Sequence, residues 1–552
     1  MKRIIFALAL VAATQLQAQI LYVNNSNGTH RAVNTADVKQ ITFDEAAHIV
    51  NVAMNDGTSN SFFTEKVDSI SPCSNGTALT YEERESITFD AADATSFNEI
   101  TETIITDELI DEWGDFVDNY STSNIFTINF SETGVTCNSS VSDVKYTITD
   151  KTHIVINSTR SKVGYIVRGT CSNGSLKIYS TKKFQITTNG LTLTNPKGPA
   201  INIQSGKTVY FTLGARETTL CDGETYAAPA LKLNPDGTEE KEDQKGTIFS
   251  EGQLIFNGTG TLNVTSKGGH AICSDDYIRV RSGNINILSA AKDGFHTNDL
   301  FRVGRTASAS PTITINASSD GVDCGKGYVL IEAGKIEITS GGEAFNVSNT
   351  ETPEAANFTI NGGFIKATTT GEKAAIVKAG NNFTQGGGII QGTVKGGGSK
   401  IINCDGNIHI TAGKLTATAQ GSLSSDATTA GGFKSNGSTT IDGGKIAIEC
   451  TGEGSKGFNC NGTLTINGGR IALLATAQNF EREGYDRKTR AITTIGLDIN
   501  GGKVYTKAYD HAINAESINI NGGEVQAIST STTGTAGTIT QKGGWLLTKD
   551  AK

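Results

Sequence analysis

Proline is scarce in this chain, and long apolar segments are almost absent from it. Seven prolines stand beside 64 glycines in 552 residues, a balance unlike that of a Pro/Gly-rich disordered protein and typical of many tight turns. Beyond the N-terminal region no apolar run approaches about 18 residues, so no transmembrane segment is predicted for the mature chain. The formal net charge of −9 argues against nucleic acid as a partner.

Motifs that mark zinc sites and common nucleophiles are also missing. The nine cysteines include no CxxC pair at zinc spacing, and their odd number leaves at least one thiol unpaired within the chain. Cys450 and Cys460 are the one candidate disulfide pair. There is no GxSxG elbow, HExxH motif or phosphate-binding loop, so the sequence names no catalytic residue.

The first 124 residues differ from the rest of the chain. Residues 1–18 combine Lys2 and Arg3 with an apolar stretch and a cleavage site, which predicts a secretory signal and an exported protein, periplasmic, at the cell surface or secreted. Residues 20–95 hold short alternating segments and Asn-Gly or Asp-Gly turns, typical of a small β-hairpin module. Residues 96–124 are strongly acidic with apolar residues at roughly helical spacing, so either a solvated linker or a short capping helix is expected.

Residues 125–552 are rich in short strand segments, and from Ile278 onward one phrase recurs, in which alternating apolar residues lead into a glycine corner. The corner glycines between positions 334 and 544 are 21 to 33 residues apart, and self-similarity at that period marks a solenoid. The alternation and the β-branched content exclude helical repeats, and the leucine-rich-repeat frame is absent. The sequence therefore predicts an all-β protein, a right-handed parallel β-helix that is expected to be a monomer.

The most informative stretch is residues 267–329, where one phrase occurs three times. Aligned on Ile272, Phe295 and Val322, with offsets of 23 and 27 residues, the copies place polar residues in three columns. Stacked strands lie about 4.8 Å apart, and two carboxylates at that distance repel by roughly 3–4 kcal/mol at an effective dielectric of about 20. We therefore expect calcium to neutralise the columns. They are His270, Asp293 and Asp320; Cys273, His296 and Asp323; and Asp276 with Asp299.

Calcium suits these positions because carboxylates and turn carbonyls supply the oxygen ligands that it prefers. The two histidines leave a transition metal open, although oxygen donors dominate. The simpler interpretation makes each Asp-Gly pair an ordinary turn, but later copies of the corner lack the acid, so the scaffold does not require it. The predicted calcium ligands are Asp275, Asp276, Asp293, Asp299, Asp320, Asp323 and Glu343.

Basic residues border the acidic columns and are candidate contacts for an acidic sugar. An arginine can hold a carboxylate through two parallel hydrogen bonds. The alternative is a solvated flank without a ligand. The candidate substrate-binding residues are Arg279, Lys292, His296, Arg302 and Lys326.

Several stretches carry a family likeness: residues 198–213 (GPAINIQSGKTVYFTL), residues 246–287, and the phrases DGFHTND and SDGVDCG. Over roughly residues 125–467 the chain resembles the calcium-binding, β-helical carbohydrate-binding family of secreted bacterial proteins. That family is similar in fold to calcium-dependent pectate lyases and is described as binding acidic plant polysaccharides. The resemblance implies calcium at the Asp positions named above and an acidic polysaccharide as the partner.

Three functions are compatible with the sequence. The first is non-catalytic, calcium-dependent binding of acidic, uronate-containing polysaccharide. The second is a polysaccharide lyase, in which calcium acidifies the proton next to the uronate carboxylate and a Lys or Arg removes it. Flanking carboxylates raise the pKa of a lysine and disfavour it as that base. The third is a β-helical surface adhesin for which glycan contact is incidental.

Overall fold

The computed structural model describes residues 20–73, Val117 and residues 120–550, with gaps at 26–29, 45–47, 64–66, 140, 142, 234–237, 305–308, 350 and 483. The predicted signal and nearly all of the acidic segment lie outside the described residues, as do residues 74–95 of the predicted hairpin module. The described residues form no α-helix; two 3-10 turns, Thr35–Asp37 and Pro353–Ala355, each span three residues. No helix among them is long and apolar enough to cross a membrane.

The strands account for most of the described chain. At the N-terminus they are β1 (Ile20–Asn25), β2 (His30–Asn34), β3 (Val38–Asp44), β4 (Ile49–Met54), β5 (Thr58–Phe63) and β6 (Val67–Cys73). The next are β7 (Asn124–Ser131), β8 (Gly134–Ser139), β9 (Val144–Thr149), β10 (His153–Ser158), β11 (Val163–Cys171), β12 (Ser175–Ser180), β13 (Phe184–Thr194), β14 (Ile201–Gln204), β15 (Val209–Leu213), β16 (Thr218–Cys221), β17 (Leu231–Leu233), β18 (Glu239–Lys241), β19 (Gly246–Ser250), β20 (Leu254–Gly258) and β21 (Thr261–Thr265).

The middle coils contain β22 (His270–Ser274), β23 (Tyr277–Val280), β24 (Asn284–Ala290), β25 (Phe295–Thr297), β26 (Leu300–Val303), β27 (Thr312–Ala317), β28 (Val322–Cys324), β29 (Tyr328–Ile331), β30 (Lys335–Ser340), β31 (Phe345–Val347), β32 (Phe358–Ile360), β33 (Phe364–Thr369), β34 (Ala375–Ala379), β35 (Phe383–Gln385), β36 (Ile389–Val394), β37 (Lys400–Cys404), β38 (Ile408–Ile410) and β39 (Lys414–Ala419). The last coils contain β40 (Gly431–Ser435), β41 (Thr439–Ile441), β42 (Lys445–Cys450), β43 (Lys456–Cys460), β44 (Thr463–Ile466), β45 (Arg470–Ala475), β46 (Phe480–Arg482), β47 (Tyr485–Arg487), β48 (Arg490–Ile499), β49 (Lys503–Ala508), β50 (Ile513–Ile520), β51 (Glu524–Ser529), β52 (Thr535–Gln541) and β53 (Trp545–Lys549).

These strands build a parallel β-solenoid of about 15 turns, which confirms the predicted fold. A typical coil has three strands, and each strand pairs with the equivalent strand of the next coil. The pairings define three long sheets. Sheet I runs through β22, β25, β28 and β31; sheet II runs through β23, β26, β29 and β32; sheet III runs through β24, β27, β30 and β33.

The interior of the solenoid is filled by stacked apolar side chains. Ile272, Phe295 and Val322 occupy successive coils of sheet I in register, and all three are fully buried. Farther along the same sheet the rings of Phe433 and Phe458 stack with centroids 4.6 Å apart. Each coil buries its apolar face against its neighbours, so the coils stabilise one another rather than folding singly.

Glycine is required where the chain turns into sheet III. Gly363 has a φ of +77°, and a Cβ there would lie 2.8 Å from the backbone of Ala333. Gly502 has a φ of +81° and would place a Cβ 2.8 Å from the backbone of Gly468. Any side chain at these corners would therefore meet both backbone strain and the preceding coil.

The two ends of the solenoid are covered differently. At the start, β8 and β9 pair antiparallel with β7 and β10. At the other end, β5 pairs antiparallel with β53, and β4 and β3 extend that sheet. Trp545 and Leu547 of β53 join Val50, Val52 and Phe62 in a separate buried cluster. The N-terminal strands thus cover the exposed edge of the last coil, an edge that would otherwise invite pairing with another chain.

The proposed disulfide between Cys450 and Cys460 is wrong. Both thiols are free and buried. The Cys450 thiol donates to the Lys456 carbonyl oxygen, and the Cys460 sulfur lies 3.2 Å from Thr439 Oγ1. The two residues belong to different strands of one coil, where they act as small interior side chains.

We predict that Val50→Asp detaches the N-terminal strands and promotes self-association. Val50 is fully buried in the cluster with Trp545, and an unpaired carboxylate cannot be accommodated there. Light scattering is expected to show concentration-dependent association while the β-sheet circular dichroism is retained. The matched control is Phe43→Ser, since Phe43 is 38% exposed. Monodisperse Val50→Asp protein with an unchanged melting temperature would show that the edge needs no cover.

Candidate functional site

Polar residues of sheet I form two parallel columns on one side of the solenoid, which we call the sheet I flank. The strand column contains the residue that follows the buried residue of each coil, and Cys273, His296, Asp323 and Asn346 lie in register within it. The corner column contains the residue two positions before the buried one. Its early members are His270, Asp293, Asp320 and Glu343, whose coils are joined by backbone hydrogen bonds.

The carboxylates of the corner column are tied to the backbone of the next coil. Asp293 Oδ1 accepts a hydrogen bond from the Asp320 backbone N–H at 3.0 Å, and Asp320 Oδ1 accepts one from the Glu343 N–H at 2.8 Å. Both aspartates are nearly buried. One oxygen of each therefore has the structural role expected of a turn residue, while the second oxygen points toward the strand column.

Two stacked histidines occupy the first coils of the flank. The rings of His270 and His296 lie 4.3 Å apart between centroids. Their Nδ1 atoms are 3.0 and 3.4 Å from Asp293 Oδ2, and His296 Nδ1 is also 2.9 Å from Asp323 Oδ2. His270, Asp293 and His296 form a mixed nitrogen and oxygen set with ligand atoms within 4.8 Å of one another, chemistry that suits a transition metal better than calcium.

The carboxylates decide which histidine is charged. Burial opposes a charge on His296, but Asp293 and Asp323 outweigh it and raise its pKa to about 9. Burial lowers the pKa of His270, and the positive charge on His296 lowers it further. Burial also disfavours the Asp293 carboxylate, yet its contacts with the two histidines hold the pKa of Asp293 well below its usual range.

One coil farther on, the carboxylates outnumber their cations. Burial and the neighbouring carboxylates of Glu343, Asp293 and Asp323 raise the pKa of Asp320 to about 8. Asn346 bridges this group, since its Nδ2 donates to Asp320 Oδ2 and to Asp323 Oδ1, both at 3.1 Å. Lys378 Nζ lies 3.6 Å from Glu343 Oε1. We call the four acids Asp293, Asp320, Asp323 and Glu343 the acidic stripe.

The structure does not bring the other predicted calcium ligands to this stripe. Asp275 lies one coil earlier, where Lys245 Nζ contacts its Oδ1 at 2.6 Å and so already supplies a cation. Asp276 and Asp299 are neighbours at the next corner of the coil, as their predicted column requires. There Gln253 Nε2 donates to Asp276, and burial followed by the charge of Asp299 raises the pKa of Asp276.

Arg279 and Arg302, predicted as sugar contacts, are largely buried, and their role in sugar binding stays a prediction. Both lie on sheet II and are only 2% and 6% exposed. Arg302 donates to both carboxylate oxygens of Glu332, at 2.7 and 2.8 Å. The period-2 alternation of the strands correctly predicts that these two arginine side chains point away from the core. It does not predict that they are shielded from solvent. Lys292 and Lys326 are exposed, and Lys326 lies 3.5 Å from Glu351.

Asn346 and Lys378 were missed by the sequence reasoning, although a signal for both was present. Asn346 follows the buried Phe345 just as Asp323 follows Val322, and Lys378 follows Val377 in the same way. Extending the alignment beyond the Asp-Gly phrases would have added both residues to the strand column.

Comparison with known proteins gives a family and a partial likeness to a solved structure. Residues 142–484, more than half of the chain, match the family model of the carbohydrate-binding domain-containing proteins, and the acidic stripe lies within that range. The chain therefore belongs to this carbohydrate-binding family. A solved structure of a polysaccharide lyase-like protein from C. thermocellum, a gadolinium derivative, aligns at 21% identity and a TM-score of 0.38, over 52% of this chain and 99% of that one. No curated protein matches the chain.

We predict that the metal-free protein loses stability as the pH rises from about 4 to about 8. Asp320 keeps its proton up to about pH 8 when folded, whereas the unfolded chain releases it near the ordinary value of 3.8, so the folded state binds more protons in this window. His296 acts in the same direction, because its stabilising charge is fully present below pH 6.5 and is lost through about 9.

The measurement is the melting temperature in chelator between pH 4.5 and 8.5, compared with that of Asp320→Asn. The asparagine cannot titrate, so the variant is expected to show a flatter profile. Identical slopes for the two proteins would contradict the assignment of the proton to Asp320.

Proposed function

We propose that this protein is an exported, calcium-dependent binder of acidic, uronate-containing polysaccharide, and that calcium is held on the acidic stripe. The family assignment supports a carbohydrate ligand. The oxygen-rich surface of the acidic stripe supports calcium binding, and the sequence of residues 1–18 is the reason to expect export.

The orientation of one side-chain amide carries the calcium proposal. The Nδ2 of Asn346 lies 3.1 Å from an oxygen of Asp320 and from an oxygen of Asp323, while its Oδ1 is buried and has no hydrogen-bond partner among the described residues. The oxygen and nitrogen of an amide exchange places by a half-turn. That turn would replace a donor with a third oxygen beside two carboxylates, which is the type of ligand set that calcium prefers.

Charge balance favours the same ion. Among the four acids of the stripe, Asp293 and Asp323 lie beside His296 and Glu343 lies beside Lys378, whereas Asp320 keeps its proton because the negative charges are crowded. A divalent cation would release that proton and relieve the repulsion. Because calcium takes six to eight ligands, positions left open by the protein can accept a uronate carboxylate, which couples the metal to the sugar.

Binding is favoured over lyase chemistry because the lysine that contacts the stripe, Lys378, is poorly placed to act as the base. The lyase alternative assigns removal of the proton next to the uronate carboxylate to a lysine or arginine within reach of the sugar. Lys378 Nζ lies 3.6 Å from Glu343 Oε1 and is therefore already engaged by an acid of the stripe. Incubation with polygalacturonate should therefore produce no unsaturated uronate ends, as followed by ultraviolet absorbance; a steady calcium-dependent rise would establish the lyase instead.

We predict that calcium strengthens polygalacturonate binding by the wild type. In the double variant Asp320→Asn with Asp323→Asn, calcium is expected to have no effect on the affinity. Affinity is to be measured by calorimetry with calcium and with a chelator. Wild-type affinity is expected to fall at least about tenfold in chelator, a loss of about 1.4 kcal/mol. The double variant is expected to have the weaker affinity in both buffers.

The matched control is Asp442→Asn with Asp498→Asn, which changes the net charge equally: Asp498 lies on the sheet II part of β48 and Asp442 directly follows β41 of the same sheet. It should behave as the wild type. Wild-type binding that ignores the chelator would contradict the calcium bridge, and absence of binding in either buffer would contradict the choice of polysaccharide.

A further inference from the structure

The sheet I flank changes sign along the solenoid. Beyond Asn346 the strand column continues, in register, through Lys378, Asn403, Lys434 and Asn459. The corner column continues from Glu343 through Ala375, Lys400 and Gly431 to Lys456 and Arg490. None of these later positions holds an acid: apart from Ala375 and Gly431, they hold amides or positively charged side chains, on the same side of the molecule.

Register fixes the spacing of these groups. Adjacent coils are about 4.8 Å apart, so Lys378 and Lys434, two coils apart, repeat at roughly 10 Å along the axis. Asn403 lies between them, and Asn459 follows one coil later. Ammonium and amide groups are both hydrogen-bond donors, so the column offers donors at a regular interval to a polymer that carries acceptors at regular intervals.

The lysines differ in how fully their charges are compensated. The Lys378 side chain is 40% exposed and has one carboxylate partner, Glu343. Lys434 Nζ donates to a neutral oxygen, Asn461 Oδ1, at 2.7 Å. Within the part of the chain that the structure describes, neither Lys434 nor Lys456 forms an ion pair. Burial, followed by the charges of Arg490, Arg487 and Lys434, lowers the pKa of Lys456.

Two other cations of the corner column are already engaged. Lys400 is 6% exposed and donates to the carbonyl oxygens of Gly398 and Thr429. Arg490 donates to Asp510 at 2.8 Å. The positive groups available to a ligand are therefore Lys378, Lys434 and Lys456. We call these three lysines, together with Asn403 and Asn459, the basic stripe.

We propose that the basic stripe binds the carboxylates of an acidic polysaccharide directly, with the polymer lying along the solenoid axis and continuing onto the acidic stripe. This inference rests on the proposed function and adds a second, metal-independent mode of contact. One end of the flank would hold uronates through calcium and the other through lysine. The chain as a whole has a formal net charge of −9 and therefore repels a polyanion. A local row of positive charge is needed for such a polymer to bind without a metal ion.

The test uses a double variant that combines Lys378→Gln and Lys434→Gln. Its binding of polygalacturonate, and of the fully methyl-esterified polymer, is compared with that of the wild type. We expect at least about a tenfold loss of affinity for polygalacturonate in calcium, and loss of the residual, salt-sensitive binding that remains in chelator. Binding of the neutral ester should change by less than about twofold. The double change Lys378→Arg with Lys434→Arg keeps both charges and should retain binding.

The control for net charge is Lys366→Gln with Lys503→Gln, because both lysines lie on sheet III with side chains 55% exposed. Equal affinities of this control and of the basic-stripe variant would overturn the inference while leaving calcium-dependent binding intact. Chelator-insensitive binding that depends on the two lysines would support the basic stripe and contradict the calcium bridge. Absence of binding by the wild type under all conditions would overturn both proposals.

Discussion

Hydrogen bonding between successive coils is the constraint on which the rest of this structure depends. Each strand pairs in parallel with the equivalent strand of the next coil, so equivalent residues stand about 4.8 Å apart over most of the molecule. Inside the solenoid this spacing lets Phe433 stack on Phe458 and builds a continuous apolar column. Outside, it forces like side chains into rows, where their charges cannot separate.

The sheet I flank shows how the chain responds to that crowding. In the first coils the carboxylates of Asp293 and Asp323 lie beside His296 and raise its pKa to about 9. In the next coil Asp320 keeps its own proton. Farther along, neutral asparagines separate the lysines of the strand column, which spaces the positive charges at every second coil. A polyanion and a divalent cation would compensate these two regions in complementary ways, and this is why we assign both to one elongated binding face.

The coils could be predicted because their causes are local. Alternating apolar residues, β-branched side chains and glycine corners recur at a period that only a solenoid explains, and aligning Ile272 with Phe295 and Val322 gave the register that the sheet adopts. Placing the aspartates in columns followed from the same alignment. The hydrogen bonds that link Asp293 and Asp320 to the following coil are also ordinary corner chemistry.

Features that depend on distant contacts could not be read in this way. Strand alternation turns Arg279 outward but cannot show that it is 2% exposed. Nothing in the sequence near Trp545 indicates that β53 pairs with β5, almost 500 residues earlier in the chain. The partner of Asp275, Lys245, lies 30 residues earlier in the chain. Each case requires knowing which segments meet in space.

The central claim is that the acidic stripe holds calcium beside a carbohydrate-binding surface. Anomalous diffraction from crystals grown in calcium tests it most directly. We predict an anomalous peak about 2.3–2.6 Å from oxygens of Asp320 and Asp323, with the Asn346 amide turned so that its oxygen faces the ion. Crystals saturated with calcium that show no peak at these residues, with Asn346 still donating to both carboxylates, would contradict it.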